Sequence, residues 1–331
     1  MFYSNRRTRI RLLASVLVTA LTVAIPSIGS AQDNYPNRPI TLVIPYGPGG
    51  ETDIFARAIS NDVAKELGQP IVVVNRAGAT GVVACEFVAR SAPDGYTIIF
   101  GTAATHALNM STFKNLPYHP LKDFSSVAFV GSVPLVLYAH PSMPAKPQEF
   151  INELKAHPSK YFYGSAGVST SYLGMELFKN AAKVSVTNAP YKGTGESIQG
   201  LLGNQVQMLG GSLGAGQTLV QGGRLQAIAV MSNERLAAAP QIPTFKESVS
   251  LPLDVGTWNV VMAPKGTPKA IVDRLNAAFN VVLSRPSVVE RLAASGIQAI
   301  SDSTPDSTAA RISSEIEKWA EAAKLAGVQP Q

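Results

Sequence analysis

The stretch from 40 to 67, ITLVIPYGPGGETDIFARAISNDVAKEL, constrains the fold more than any other part of the chain. Ile40, Leu42, Val43 and Ile44 make an apolar, β-branched run too short for a helix, which reads as a strand buried on both faces. Phe55, Ile59, Val63 and Leu67 recur at i, i+4 and fall on one side of a helix. Between them Gly47, Gly49 and Gly50 permit close backbone approaches, and Pro45 and Pro48 stiffen the turn. The unit is strand, glycine-rich loop, helix, with bare N–H groups at a helix N-terminus that can hold a carboxylate or phosphate. An ordinary βα turn has the same pattern, so the remainder of the chain must decide.

Residues 1–31 carry Arg6, Arg7, Arg9 and Arg11, an apolar run from Leu12 to Ile25, and then Pro26 and small residues ending at Ala31. This is the three-part pattern of a secretory signal peptide, with cleavage expected after Ala31 and export to the periplasm. Gln32 and Asp33 follow, so no cysteine stands at the junction for lipid attachment. Removing the segment takes away four Arg and no acidic residue, and the formal net charge falls from +6 to +2. The pI of 9.3 therefore reports mainly the leader and gives no argument for nucleic-acid binding, which calls for a clustered basic face. Cys85 stands alone in an apolar, helix-like run, which excludes an internal disulfide and reads as a core thiol.

About 300 residues exceed what one simple core serves, which favours two lobes. Ile71 to Val74 reads as a second buried strand and Thr97 to Phe100 as a third, ending in a small-residue loop from Gly101 to His106. Further strands are expected at 127–130 and 135–138, and the proline-rich run from His140 to Pro147 breaks all periodicity. A second α/β series then follows, with strands at 161–163, 184–188, 206–209 and 225–231 and small-residue loops at 164–170 and 190–195. A strand at 255–263 and the helices beyond it are expected to return to the first lobe, giving lobe 1 as 32–138 with 256–331 and lobe 2 as 139–255. Loops beyond the C-terminal ends of such strands face one crevice.

Gly210-Gly211-Ser212-Leu213-Gly214 matches the G-x-S-x-G elbow of hydrolases, but that fold places its catalytic His after the Ser, and His106, His119, His140 and His157 all precede Ser212. Those histidines are too dispersed for a metal helix, and no phosphate-binding G-x-x-x-x-G-K-[ST] or complete G-x-G-x-x-G occurs, so neither a cofactor nor catalysis has a carrier. What remains is a set of small-residue loops around Gly50, Thr102, Ser165 and Tyr191, rich in hydroxyl and backbone donors and poor in charge. That inventory suits reversible capture of a small polar molecule between two lobes, and for Ser165, Thr170, Thr102 and Tyr191 local capping is the competing role.

With these motifs the chain resembles the extracytoplasmic solute receptors of tripartite tricarboxylate transporters, the Bug-type binding proteins. The resemblance is carried by YPNRPITLVIPYGPGGETD (35–53), SAPDGYTIIFGT (91–102), YGSAG (163–167), APYKGTG (189–195), GRLQAIAVMSNER (223–235) and APKGTP (263–268). It implies an α/β, two-lobed periplasmic binding protein of the Venus-flytrap, type II-like class, each lobe a mainly parallel sheet flanked by helices. It implies a monomer that hands a small organic acid or amino-acid-like ligand to a membrane transporter of large and small subunits, with no nucleic-acid partner. A ligand sensor for a membrane regulatory protein and an exported serine hydrolase are the alternatives. The expected ligand-binding residues are Tyr46, Gly49, Gly50, Thr52, Asp53, Thr102 and His106 from the first lobe and Ser165, Gly167, Thr170 and Tyr191 from the second. Glu51 adds a negative charge next to Asp53 in a loop meant for an anion, and the loops supply few counter-charges beyond Lys192 and His106. The ligand is therefore expected to carry one carboxylate, with an ammonium or amide, rather than three.

Overall fold

Among the described residues, 34–330 of the computed structural model, eleven strands form two sheets, and the chain from Pro36 onward is one unit. The strands are β1 Ile40–Ile44, β2 Ile71–Asn75, β3 Thr97–Thr102, β4 Phe124–Pro134, β5 Val136–Ala139 and β6 Phe162–Ala166. They continue as β7 Thr187–Tyr191, β8 Met208–Gly211, β9 Gln226–Val230, β10 Gly256–Pro264 and β11 Gln298–Ala299. The first sheet has the order β11-β4-β10-β3-β1-β2 and the second β7-β6-β8-β5-β9. β1, β2, β3 and β4 run one way, with β10 and β11 against them; in the second sheet only β5 runs against the rest. The two reversed inner strands, β10 and β5, are the ones that follow each passage between the sheets. The expected signal peptide lies outside the described residues, and among those residues no helix is long and apolar enough to cross a membrane.

The opening unit forms as its pattern dictates. β1 is buried along its length, and the helix Glu51–Leu67 turns Phe55, Ile59, Val63 and Leu67 into the core. Gly68 ends that helix at φ +77°, a left-handed conformation open to glycine at little cost. Other expectations shift. β2 is an edge strand whose Val72 and Val74 face solvent, so it is not buried on both faces. β7 starts at Thr187 and contains Pro190, which an edge position tolerates because no ladder bond is lost on the open side. The expected strand at 135–138 is β5, which begins at Val136 and pairs with β8 and β9. The first passage between sheets therefore falls at Leu135, directly after Pro134 ends β4, and not near residue 138.

At this joint the backbone of Leu135 donates to Val255 O (2.9 Å) and accepts from Met231 N (2.7 Å), while Val255 N donates to Met231 O (2.9 Å). The long helix Pro305–Leu325, started by a capping box between Thr304 and Ser307, lies along β4 and also packs against the second-lobe helix Thr170–Ala182. Its buried Glu315 accepts from Trp258 Nε1 (2.8 Å) and Trp319 Nε1 (3.0 Å) and pairs with Arg311 and Lys318. Arg311 and Lys318 in turn reach the Asp254 carboxylate and carbonyl beside the joint.

Trp258 and Trp319 are the chain's two tryptophans, so fluorescence reads this cluster directly. Glu315→Ala strands two indole donors and should cost about 3–5 kcal/mol. The expected result is a thermal midpoint roughly 6–15 °C lower with a changed tryptophan emission, measured by intrinsic fluorescence melting.

Candidate functional site

Two connected chambers open between the sheets. The larger, about 460 Å³, is walled by Tyr46 and Thr52 after β1, Thr80, Thr102 at the end of β3, Asn109, Thr112 and Phe113, and on the far side by Val168, Ser169 and Thr170. Val328 and Gln329 close one edge. The smaller, about 210 Å³, is built largely from the second lobe: Ser165, Ser171, Thr194, Ser197 and the Gly210-Gly211-Ser212 turn. Glu51, Ser169, Thr170 and Thr257 line both and mark where they join. Among the described lining residues, Glu51 is the one charged side chain. A third cavity of about 650 Å³ contains Arg311, but that guanidinium is already paired with Asp254 and Glu315.

The donors in the larger chamber are hydroxyls held by one another. Tyr46 Oη and Thr102 Oγ1 share a hydrogen bond of 3.0 Å, and Thr102 N donates to Thr105 Oγ1 at 2.9 Å. Burial pushes the Tyr46 phenol up to about 12, so it stays a neutral donor. In the smaller chamber Ser165 Oγ donates to Asn188 Oδ1 (2.8 Å), Ser171 Oγ donates to the Gly210 carbonyl, and Ser169 caps the helix Thr170–Ala182 by accepting from Tyr172 N (3.2 Å). The first turn of the helix Glu51–Leu67 adds N–H groups that have no intrahelical acceptor.

Of the expected residues, Tyr46, Thr52, Thr102, Ser165 and Thr170 are brought to the chambers. Asp53 is not. Its carboxylate is turned into the loop, accepting from Arg57 Nε (2.9 Å), Asn75 Nδ2 (2.8 Å) and Gly49 N (3.0 Å). The Arg57 hydrogen bond leads in holding its carboxyl down to about 2. Gly49 thus spends its N–H on Asp53, Gly50 is the helix N-cap, and neither lines a chamber. Gly167, at φ +55°, shapes the second-lobe loop without lining it.

His106 is a correction. The chain after β3 winds into a π-helical turn, Ala104–Leu108, instead of an open loop, and this turns the imidazole into the core. There it is fully buried over Gly101, where a Cβ would sit 2.4 Å from the ring, and edge-on to Phe124. Nδ1 and Thr105 Oγ1 are 2.9 Å apart, Nε2 has no partner among the described residues, and burial holds the pKa down to about 3. Tyr191 is likewise turned away: its hydroxyl lies where a Cβ on Gly200 would be, so the ring covers the helix Thr194–Leu202. Lys192 is exposed and lines neither chamber, and Tyr172 stacks on Tyr163 and donates to the Ala326 carbonyl. Among the described residues no histidine lines either chamber, and the Ser212 carbonyl accepts from Tyr138.

Sequence reasoning missed Thr80, Asn109, Thr257 and the Val328-Gln329 tail. The first three lie outside the glycine-rich loops used as the signal, and nothing local in the tail announces its place.

A fully buried neutral His destabilises the fold in acid, because the unfolded chain binds its proton near pH 6.5 and the folded chain does not. Stability from this group is present above pH 6.5 and lost as pH falls, by about 2 kcal/mol at pH 5. Urea unfolding at pH 7.5 and pH 5 should show this slope in the parent protein and a flatter one in His106→Asn; equal slopes would contradict it.

The model of the tripartite tricarboxylate transporter family receptor matches residues 55–327. BugT of Bordetella pertussis is 36% identical over 322 residues, covering 96% of this chain and 98% of that protein. Among solved structures, an R. palustris protein with adipate is 32% identical with a TM-score of 0.75, covering 90% of this chain and 100% of the other. MatC from Rhodopseudomonas palustris with bound malate is 34% identical with a TM-score of 0.70, covering 87% and 99%.

Proposed function

This chain belongs to the tripartite tricarboxylate transporter receptor family, and on that premise we propose that it is a periplasmic receptor that captures a small carboxylate-containing metabolite between its lobes. The observation that carries the reading is the larger chamber, where hydroxyls of Tyr46, Thr52 and Thr102 surround a helix N-terminus with no basic side chain among the described lining residues. A carboxylate held there is stabilised by neutral donors and the helix dipole, so it can be released without breaking an ion pair. The adipate and malate structures of two relatives favour the same ligand chemistry. Delivery goes to a membrane transporter of large and small subunits, the partner the resemblance implies.

In this reading Tyr46, Thr52, Thr102, Ser165 and Thr170 touch ligand. Asp53 acts as a positioning residue, tying Gly49, Arg57 and Asn75 together beneath the loop. Lobe 1, built on β1–β4 with β10 and β11, and lobe 2, built on β5–β9, close by a hinge at Leu135 and Val255.

The test is a thermal-shift screen of the purified protein with mono-, di- and tricarboxylates and amino acids. A ligand at 100 times its Kd adds about 2.7 kcal/mol and should raise the midpoint by roughly 5–10 °C. Asp53→Asn should bind about tenfold more weakly at a temperature where it is fully folded. Unchanged affinity in that variant would contradict the positioning role, and chemical conversion of the ligand would contradict the receptor.

A further inference from the structure

Glu51 is the first residue of the helix Glu51–Leu67 and, with Ser169, Thr170 and Thr257, lines both chambers where they join. Among the described residues its carboxylate has no hydrogen bond or ion pair, whereas Asp53 two positions on has three donors. Both carboxylates occupy the first turn of the helix, so the dipole favours each equally; only Glu51 is left for something else to meet. A ligand that reaches from the larger chamber into the smaller one must pass it.

The other side chains that line the two chambers with Glu51 are uncharged. Ser169, Thr170 and Thr257 line both with it, and Tyr46, Thr52 and Thr102 line the larger one. Arg57 on the same helix is engaged by Asp53, and Arg311 and Lys318 lie past Thr257, engaged by Glu315 and Asp254. Among the described residues no Lys, Arg or His lines either chamber with the carboxylate. Desolvation pushes it up to about 7, so it is ionised at slightly alkaline pH and half-protonated near neutrality.

An ionised, unpaired carboxylate at the centre of a crevice repels a second anionic group and attracts a cationic one. We infer that Glu51 receives the ammonium end of a zwitterionic ligand whose carboxylate lies among the hydroxyls of the larger chamber. The ligand class is an amino acid or an ω-amino acid, and Glu51 is the residue that selects it over a dicarboxylate of the same length. This inference rests on the carboxylate-receptor reading and narrows it.

Isothermal titration at pH 6 and pH 8 separates the two. The probes are the common amino acids with 4-aminobutanoate and 5-aminopentanoate, against succinate, glutarate and adipate. The expected result is a zwitterion that binds at least tenfold tighter than every dicarboxylate at pH 8, tightens from pH 6 to 8, and loses at least tenfold in Glu51→Gln with dicarboxylate affinity not reduced. Dicarboxylates binding as tightly as the best zwitterion, or a zwitterion indifferent to Glu51→Gln, would overturn the inference and leave the receptor reading standing. Binding by none of the probes would overturn both. The thermal midpoint of unliganded Glu51→Gln, expected at or above that of the parent because an unpaired carboxylate is removed, shows that any loss of affinity is not a loss of fold.

Discussion

The structure depends on a joint made of backbone alone. Leu135 is the single residue between the strand that ends the first sheet's main series and the strand that opens the second; two hydrogen bonds hold it to Val255 and Met231, and a third joins Val255 to Met231. These bonds join main-chain atoms at the point where the chain passes between the two sheets. Both reversed inner strands, β5 and β10, leave from this joint, so each sheet is pinned through an inner strand. The buried Glu315 cluster backs the joint on one side and ties the C-terminal helix to Asp254.

Given that joint, the chemistry of the crevice follows from how charge is distributed around it. Asp53, Arg57 and Asn75 settle their charges and polar groups among themselves, beneath the glycine-rich loop. The chambers receive hydroxyls, an amide and one unpaired carboxylate. A site of this kind recognises its ligand through many neutral hydrogen bonds, each modest, and discriminates through a single charge. This agrees with the role of a receptor in the family to which the chain belongs, which must both hold its ligand and let it go.

The opening unit was legible because it is local. The i, i+4 face of Phe55, Ile59, Val63 and Leu67 and the buried run of β1 are each written within a few residues. Tyr46, Thr52 and Thr102 could be found as small or polar residues next to strand ends. What misled the reading was the assumption that a polar residue near such a loop faces the crevice. His106 lies in a π-helical turn that no spacing rule announces, and the direction of its ring depends on the space over Gly101. Tyr191 is drawn inward by the gap at Gly200 on the next helix. Thr257, Val328 and Gln329 reach the site through long-range packing, which a local pattern does not carry.

The most direct measurement is a crystal structure of the protein with the tightest ligand of the titration panel. The account predicts the ligand's carboxylate within hydrogen-bonding distance of Tyr46 or Thr102, in the crevice and contacted by residues of both lobes. A ligand seated instead in the outer cavity at Arg311, or bound in the crevice with its carboxylate turned away from those hydroxyls, would contradict it.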